Sequence, residues 1–343
     1  MVAIPEPNNG LEALIDRFHK ITSTEVPRPH LGASLLGHPC DRWLWLSFRW
    51  AVIEQFSGRI LRLFDRGKRE EEVIIRDLRA VGVDVREDED GKQFRVDFGG
   101  HVGGSLDGII ESGVPEAPQK RHVLEIKTHS LKSFNELRDK GVKDAKPMHY
   151  AQMQIYMRGT GIDRALYAAV CKDDDRLYFE RVRYDADEAN ALITRGDRLT
   201  MADRIPEPLS ADPTWYQCKF CAAHDLCHNS HMTREINCRT CAHSTATPGG
   251  TWECARYANA TIPYDAQLAG CDAHVLHPDL VPWKLIGPYA ANPWAAVYEI
   301  NGAHVPNGEA GSDSDDHVFS SKELIIDNRK RIESGEDIVL IPF

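Results

Sequence analysis

The chain has few of the features that would place it in or across a membrane. Its 343 residues contain no run of about eighteen apolar side chains, so no transmembrane helix is expected. Residues 1–9 do not combine a basic start with an apolar stretch, so we expect no secretory signal and, by default, a cytoplasmic protein. Internal repeats and low-complexity blocks are also absent, which leaves globular domains as the expected architecture.

Basic residues are also fewer than acidic residues. The formal net charge is −11, and this excludes a protein that coats nucleic acid by charge alone. An enzyme that acts on nucleic acid is not excluded, because a local basic patch or a bound metal ion offsets an acidic total. The sequence contains two basic patches, which are Arg59, Arg62, Arg66, Lys68 and Arg69, and Lys132, Arg138, Lys140, Lys143 and Lys146. Each patch taken alone is better explained as a solvated helix face.

The composition and the patterning are typical of globular domains. Hydrophobic residues make up 42% and charged residues 27%, and the length suits one large domain with one or two smaller ones. Helix and strand signals alternate between residues 31 and 205, which predicts a mixed α/β unit. Expected helices span 59–81, 148–158 and 187–202, and expected strands span 94–98, 105–111, 123–128, 165–171 and 177–184. We expect an N-terminal arm over 1–30, the α/β domain over 31–235, a cysteine-rich module over 236–280, and a small α+β tail over 281–343.

Three charged residues interrupt two apolar strand signals. Asp107 lies in the first strand, and Glu125-Ile126-Lys127 lies in the second. Because side chains alternate along a strand, Glu125 and Lys127 share one face and Leu124 and Ile126 share the other. Two acids and a lysine at one sheet edge can hold a hard divalent cation and place a water beside it. This arrangement is suited to cutting a phosphodiester bond, although a buried structural ion pair is the alternative.

The helix predicted over 59–81 supplies a third acid. An apolar stripe recurs at helical spacing, and it contains Leu61, Phe64, Ile74, Ile75 and Leu78. Glu71 lies in the middle of that stripe. A carboxylate that faces a core is paired, protonated or bound to metal. Glu71 is therefore a candidate metal ligand, with a tolerated boundary glutamate as the alternative.

The helix predicted over 148–158 carries a polar face. His149, Gln152 and Tyr156 follow one another at spacings of three and four, which places them on one side of the helix. Gln152 and Tyr156 can hydrogen-bond phosphate oxygens or orient Lys127. Taken alone, they are better explained as an ordinary polar face.

Asp107, Glu125-x-Lys127 and Gln152-x-x-x-Tyr156, in that order, resemble the PD-(D/E)XK nuclease superfamily. The glutamine–tyrosine element is similar to its RecB-type branch, which includes AddB-type exonucleases and the nucleases of CRISPR adaptation. The resemblance implies a restriction-endonuclease-like fold, with a mixed central sheet flanked by helices. It covers about residues 31–230.

The resemblance also implies roles for the charged residues. Asp107, Glu125 and the carbonyl of Ile126 would bind Mg²⁺ or Mn²⁺, and Lys127 would orient the attacking water and stabilise charge on the phosphate. One position departs from the family. Many members have a histidine directly after the glycine of the first long helix, where this chain has Lys68 after Gly67. We therefore assign the corresponding role to Glu71.

Nine cysteines, without an export signal, point to metal binding rather than to disulfides. A first set is Cys40 with Cys218-x2-Cys221-x5-Cys227. One cysteine before the nuclease core and three after it resemble the iron–sulfur nucleases of the RecB-type branch, in which four thiolates hold a 4Fe-4S cluster. Such a cluster would fasten the two ends of the domain together. Zinc at the same cysteines is the alternative.

A second set predicts a small zinc-binding module. Its members are Cys238-x2-Cys241-x12-Cys254-x16-Cys271. Four thiolates around Zn²⁺ stabilise modules whose cores are too small to fold alone. Cys171, inside a predicted strand, is expected to be a core thiol. In the tail, Asn301-Gly302 between two apolar stretches predicts a β-hairpin.

These patterns lead to one functional hypothesis with two rivals. We expect a Mg²⁺- or Mn²⁺-dependent DNA exonuclease that acts on DNA ends or single strands in recombination, repair or phage DNA processing. Its partners would be DNA and a recombination or replication protein, with no membrane. The rivals are a structure-specific endonuclease and a catalytically silent DNA-binding scaffold. The complete set of Asp107, Glu125 and Lys127 argues against the scaffold.

Overall fold

The computed structural model describes residues 10–24, 26–309 and 317–326. The parts of the expected arm and tail that fall on residues 1–9, 25, 310–316 and 327–343 lie outside the described residues. Within the described ranges, no helix is both long enough and apolar enough to cross a bilayer.

A mixed five-stranded sheet forms the centre of the protein. Its strands are β2 (Asp84–Arg86), β7 (Gly108–Ser112), β8 (His122–His129), β9 (Arg164–Cys171) and β10 (Leu177–Arg183). They lie in the order β10-β9-β8-β7-β2, and only the β8–β9 pair is parallel. The parallel pair sets Glu125 beside Tyr167 and Lys127 beside Ala169. This sheet and its flanking helices confirm the expected mixed α/β fold class.

Helices cover both faces of this sheet. They are α1 (Gly10–Thr22), α2 (Ala33–Leu36), α3 (Asp41–Phe48), α4 (Gly58–Ala80), α5 (Leu131–Ala145), α6 (Pro147–Thr160) and α7 (Ala186–Thr200). On one face, Ile74 and Ile75 of α4 pack with Leu124 and Ile126. On the other face, Met153 of α6 belongs to a larger core with residues of β9. Leu124 and Ile126 face the first of these layers, so Glu125 and Lys127, which alternate with them on β8, face the second.

Local sequence explains where these helices begin and end. The side chain of Ser57 accepts a hydrogen bond from the Ile60 amide and caps α4. Asp185 caps α7 in the same way through the Glu188 amide. Pro147 occupies the first turn of α6, and Gly161 follows its last turn with φ of 68°. The helices predicted over 59–81, 148–158 and 187–202 therefore exist, with ends that differ by only a few residues.

One strand prediction was wrong in an informative way. The strand expected over 105–111 is broken, because β6 (Val102–Ser105) ends before Leu106 and β7 starts at Gly108. Strand β6 belongs to a different three-stranded sheet, between β1 (Leu31–Gly32) and β5 (Arg95–Asp97). The chain thus changes sheets at Asp107, which frees that residue from regular strand pairing.

The C-terminal part contains small sheets. Its elements are α8 (Tyr216–Lys219), α9 (His224–His228), β11 (Ser244–Ala246), β12 (Trp252–Cys254), β13 (Ala260–Thr261), α10 (Tyr264–Ala269), β14 (Lys284–Tyr289), β15 (Asn292–Ile300) and β16 (Ala303–Asn307). Strands β3 (Asp88–Glu89) and β4 (Lys92–Gln93) form a separate hairpin. The predicted hairpin at Asn301-Gly302 is confirmed, since β15 and β16 pair there and both turn residues have positive φ, 51° and 80°.

A buried arginine ties the cysteine-rich region to the rest of the protein. Arg239 is 1% exposed, and its guanidinium donates to the carbonyls of Phe48 and Pro29 and to Gln267 Oε1. The same guanidinium stacks on Trp50 at 3.7 Å from the ring centroid. The region after residue 236 is therefore packed against the N-terminal segment rather than separated from it.

Candidate active site

Asp107 contacts β8, the strand that carries Glu125 and Lys127. Its Oδ2 accepts a hydrogen bond of 2.8 Å from the amide of Ile126. The same oxygen is 3.9 Å from Lys127 Nζ. The Lys127 ammonium also donates to the carbonyl of Ile126 at 3.1 Å. Asp107, the Ile126 carbonyl and Lys127 therefore meet at one point, as the sequence predicts.

Glu125 is the most deeply placed of the charged groups. It is fully buried, and Lys127 Nζ forms an ion pair with its Oε1. Beyond this ion pair, neither carboxylate oxygen has a hydrogen-bond partner among the described residues. Burial raises the pKa of Glu125 to about 8, against the opposing effect of Lys127. A buried carboxylate with unsatisfied oxygens is suited to binding a cation.

Glu71 reaches the same group of charges from α4. Burial and the negative charge of Asp107 raise the pKa of Glu71 to about 7, and Lys127 opposes that shift. One neighbour on α4 was predicted incorrectly. Phe64 is 38% exposed rather than buried, because its ring packs edge-to-face on Phe56 instead of on the sheet. Glu71 itself is half-buried, on the same side of α4 as Ile74, Ile75 and Leu78.

The balance of charge at this edge is incomplete. Three carboxylates, from Glu71, Asp107 and Glu125, surround one ammonium group. Burial lowers the pKa of Lys127, but Glu125 and Asp107 outweigh that effect and raise it, so the side chain stays charged. When all three acids are ionised, their charge exceeds that of Lys127 by two, and the positive charge of Lys68 offsets part of this excess at Glu71. A divalent cation carries the positive charge that would balance the remainder.

Gln152 and Tyr156 lie on one face of α6, as predicted, and both are buried. Gln152 Nε2 donates to Tyr156 Oη at 3.0 Å, and Tyr156 Oη donates to the carbonyl of Ser105 at 2.6 Å. Ser105 precedes Asp107 by two residues. The pair therefore supports the end of β6, and these side chains contact protein rather than open solvent.

A histidine–tyrosine network beside this site was not predicted. Tyr167 Oη lies 2.9 Å from His129 Nε2 and 2.7 Å from His149 Nδ1. A partial signal was present in the sequence, since His129 shares a face of β8 with Glu125 and Lys127, and His149 shares a face of α6 with Gln152. Tyr167 could not be found in this way, because β9 reads as an ordinary core strand.

The first cysteine set converges on one cavity. Its lining includes Cys40, Cys218, Cys221 and Cys227. Burial, together with the neighbouring thiols, raises the pKa of Cys221. Burial likewise raises the pKa of Cys227, while Arg42 opposes that shift. Four thiols distant in sequence are therefore neighbours in space.

The second cysteine set lines another cavity. Cys238, Cys241, Cys254 and Cys271 surround it, together with His243 and His274. Burial, followed by the other cysteines of the set, raises the pKa of Cys238 to about 12. Burial raises the pKa of Cys241 to about 11. Crowded buried thiols of this kind are poor thiolates without a cation, and metal binding is the usual way to ionise them.

The possible metal-donor atoms lie near one another at the charged site and at both cysteine sets, but they do not form a complete coordination sphere. Within the part of the chain that the structure describes, no group of three or more His, Cys, Asp or Glu side chains is arranged so that it could hold a metal ion. The donor types nevertheless fit, with oxygen donors at Asp107 and Glu125 and thiols at both cysteine sets. The metal sites therefore stay predictions that rest on donor chemistry and proximity.

Comparisons with known proteins give only distant likenesses. No family model matches the chain, and no curated protein matches it. The solved structure of SSO0001 aligns with 64% of this chain and 96% of its own at 18% identity and a TM-score of 0.38. An alkaline exonuclease from Laribacter hongkongensis aligns with 50% of this chain and 87% of its own at 19% identity and a TM-score of 0.35. The same enzyme in complex with dAMP aligns with 50% of this chain and 86% of its own, at 17% identity and a TM-score of 0.36. These likenesses are too weak to assign a family or an activity.

Proposed function

We propose that the chain is a divalent-metal-dependent deoxyribonuclease of the PD-(D/E)XK type, acting as an exonuclease on DNA ends or single strands. One observation carries this proposal. Three carboxylates and a lysine from three separate elements meet at the edge of a mixed sheet, and the buried carboxylate of Glu125 has no hydrogen bond beyond its ion pair with Lys127. A purely structural ion pair would satisfy those oxygens, since unsatisfied buried carboxylates are costly.

The proposed ligands of Mg²⁺ or Mn²⁺ are Asp107, Glu125, the carbonyl of Ile126 and Glu71. A bound cation supplies Lewis-acid activation of water and neutralises charge on the phosphate. Asp107 is held in place by the Ile126 amide through Oδ2, so Oδ1, to which no described residue donates, is the oxygen offered to a cation. Glu71, with its raised pKa, gives up its proton when a cation is present.

Lys127 supplies a fixed positive charge in this proposal. Its ammonium contacts Asp107, Glu125 and the Ile126 carbonyl, and its side chain is 27% exposed. An ammonium group at that position attracts the scissile phosphate and stabilises the charge that develops in the transition state. Gln152 and Tyr156 act behind it, by supporting the segment that carries Asp107.

The two cysteine sets have separate proposed roles. Cys40, Cys218, Cys221 and Cys227 hold a 4Fe-4S cluster that joins the start of the nuclease domain, over 31–235, to its end. Cys238, Cys241, Cys254 and Cys271 hold Zn²⁺ in a module over 236–280. The tail over 281–343 has no assigned role. We place the activity in recombination, repair or phage DNA processing, with a recombination or replication protein as partner.

A nuclease assay tests the proposal. Purified protein is incubated with end-labelled single- and double-stranded DNA while Mg²⁺ and Mn²⁺ are varied, and the products are resolved by size. Successive shortening from an end supports an exonuclease. A single internal cut at a flap or branch supports a structure-specific endonuclease. DNA binding without cleavage at any metal concentration supports the silent scaffold.

A further inference from the structure

A chain of four hydrogen-bonding side chains runs beside the proposed active site. His129 Nδ1 lies 3.0 Å from Ser133 Oγ, and His129 Nε2 lies 2.9 Å from Tyr167 Oη. Tyr167 Oη lies 2.7 Å from His149 Nδ1. His129 is 5% exposed and Tyr167 is fully buried, whereas His149 is partly exposed. Both ends of this series, Ser133 and His149, are therefore partly exposed, while its middle is buried.

This series of four hydrogen-bonding side chains lies beside the charged residues of the proposed site but does not include them. His129 follows Lys127 by two residues and shares its face of β8. Tyr167 lies directly beside Glu125 in the β8–β9 pair. The groups that act on His149 from the surrounding elements are Lys127, His129 and Lys146, together with Tyr167. The positive charge of Lys127 therefore acts on His149.

The single hydroxyl proton of Tyr167 limits the direction of the hydrogen bonds. It can be donated to only one of the two ring nitrogens, so the nitrogen of the other neutral ring must donate to Oη. In one of the two resulting arrangements, His129 Nε2 donates to Tyr167 Oη, Tyr167 Oη donates to His149 Nδ1, and His129 Nδ1 accepts from Ser133 Oγ. In this arrangement His149 Nδ1 is an acceptor, so the proton of the neutral ring is on Nε2.

We propose that His149 is a further catalytic residue whose Nε2–H donates a hydrogen bond to a non-bridging oxygen of the scissile phosphate, and that Tyr167 and His129 are positioning residues that fix its tautomer. This inference rests on the proposed nuclease function. Among the described residues the hydrogen bond of His149 is made through Nδ1, and its side chain is partly exposed, which leaves Nε2 available to substrate. Burial, and next the charge of Lys127, lower the pKa of His149 to about 3, so the ring stays neutral at working pH.

The tautomer is measured first, because it does not depend on cleavage. Long-range nitrogen–proton NMR correlations of the full chain distinguish Nε2–H from Nδ1–H imidazole. We expect His149 to carry its proton on Nε2 in the wild type and to populate both tautomers in Tyr167→Phe. A wild-type His149 protonated on Nδ1 would overturn the inference, because Nε2 would then have no proton to donate.

Cleavage of end-labelled DNA with Mn²⁺ is measured second. Loss of one transition-state donor typically costs about 100-fold in kcat, and we expect that loss in His149→Leu. His149→Gln, which keeps an amide donor, should recover most of the rate, and Mn²⁺ affinity should stay within about twofold in both variants. His304→Leu, at an exposed histidine, is the matched control. A phosphorothioate at the scissile linkage should slow one diastereomer in the wild type, and His149→Leu should lose that selectivity.

The outcomes separate this inference from the function on which it rests. A wild type that cleaves no DNA refutes the nuclease proposal and the role of His149 together. A wild type that cleaves DNA, alongside a His149→Leu variant with an unchanged rate and unchanged diastereomer selectivity, refutes the role of His149 alone.

Discussion

Tyr156 donates its hydroxyl proton to the carbonyl of Ser105 at 2.6 Å, and thereby joins helix α6 to the segment that carries Asp107. The ring approaches β6 closely, because a Cβ added at Gly104 would lie 2.8 Å from Tyr156 Cε1. Gln152 donates to the same hydroxyl from one turn earlier. The glutamine–tyrosine pair is therefore a support for Asp107, two residues beyond the end of β6.

The support can be tested with Tyr156→Phe. The change leaves the ring in place but removes the donor to Ser105, which should lower the free energy of unfolding by about 1–3 kcal/mol. Because Asp107 loses its fixed position, kcat should fall by roughly 10- to 100-fold. Urea unfolding and steady-state cleavage measure the two effects. Tyr150→Phe, on the same helix but outside this network, is the control, and equal activity in both variants would contradict the support role.

The raised pKa values of the acids predict a pH dependence of stability. Glu125 ionises near pH 4.5 in the unfolded chain and near pH 8 in the fold, and Glu71 ionises near pH 7 in the fold. Between these limits the unfolded state binds fewer protons, so the metal-free protein should lose stability as pH rises from about 4.5 to 8. Lys127, whose pKa is raised above its ordinary value, keeps its contribution throughout this window.

Thermal unfolding with and without Mn²⁺ measures this dependence. A cation offsets the repulsion among ionised acids, so the increase in Tm on adding Mn²⁺ should be larger at pH 8 than at pH 6. Glu125→Gln should remove most of the pH dependence of the metal-free protein. Glu89→Gln, at an exposed position, should keep it. A Tm increase that is independent of pH in the wild type would count against these acids as ligands.

The two cysteine sets predict separate metals. Anaerobically purified wild type should be brown and contain both iron and zinc. Cys40→Ser should lose the colour and the iron but keep the zinc, because Cys40 lines only the first cavity. Cys171→Ser, at a buried thiol outside both sets, is the control and should keep both metals. Metal analysis by mass spectrometry and visible absorption measure the outcome. A colourless protein with zinc at both sets would refute the cluster.

The shared face of Glu125 and Lys127 follows from the sequence, because alternation along a strand fixes which residues share a face. The break between β6 and β7 does not follow in the same way. It depends on pairing between Val102–Gly103 of β6 and Leu31–Gly32 of β1, two segments far apart in the chain. Sequence periodicity reports local faces, but it does not report which distant strand a segment will join.

Two further features could not be predicted from the sequence, because each depends on contacts between distant segments. Helix α5 buries Phe134, Leu137 and Val142, and it contains Gly141 with φ of 76°, where the Val142 amide donates to Glu180 Oε2. That interruption is stabilised by a residue of β10, which no local signal predicts. Tyr167 is an aromatic residue in an apolar strand, and only the folded arrangement places its hydroxyl between His129 and His149.

The most direct test of the nuclease site is cleavage of end-labelled DNA in Mn²⁺ by the wild type, Asp107→Ala and Lys127→Ala. Asp97→Ala and Lys140→Ala, which remove exposed groups of the same charge elsewhere, are the matched controls. We predict that the wild type and both controls degrade DNA, and that Asp107→Ala and Lys127→Ala fall to background. Persistent cleavage in both active-site variants would contradict the assigned site.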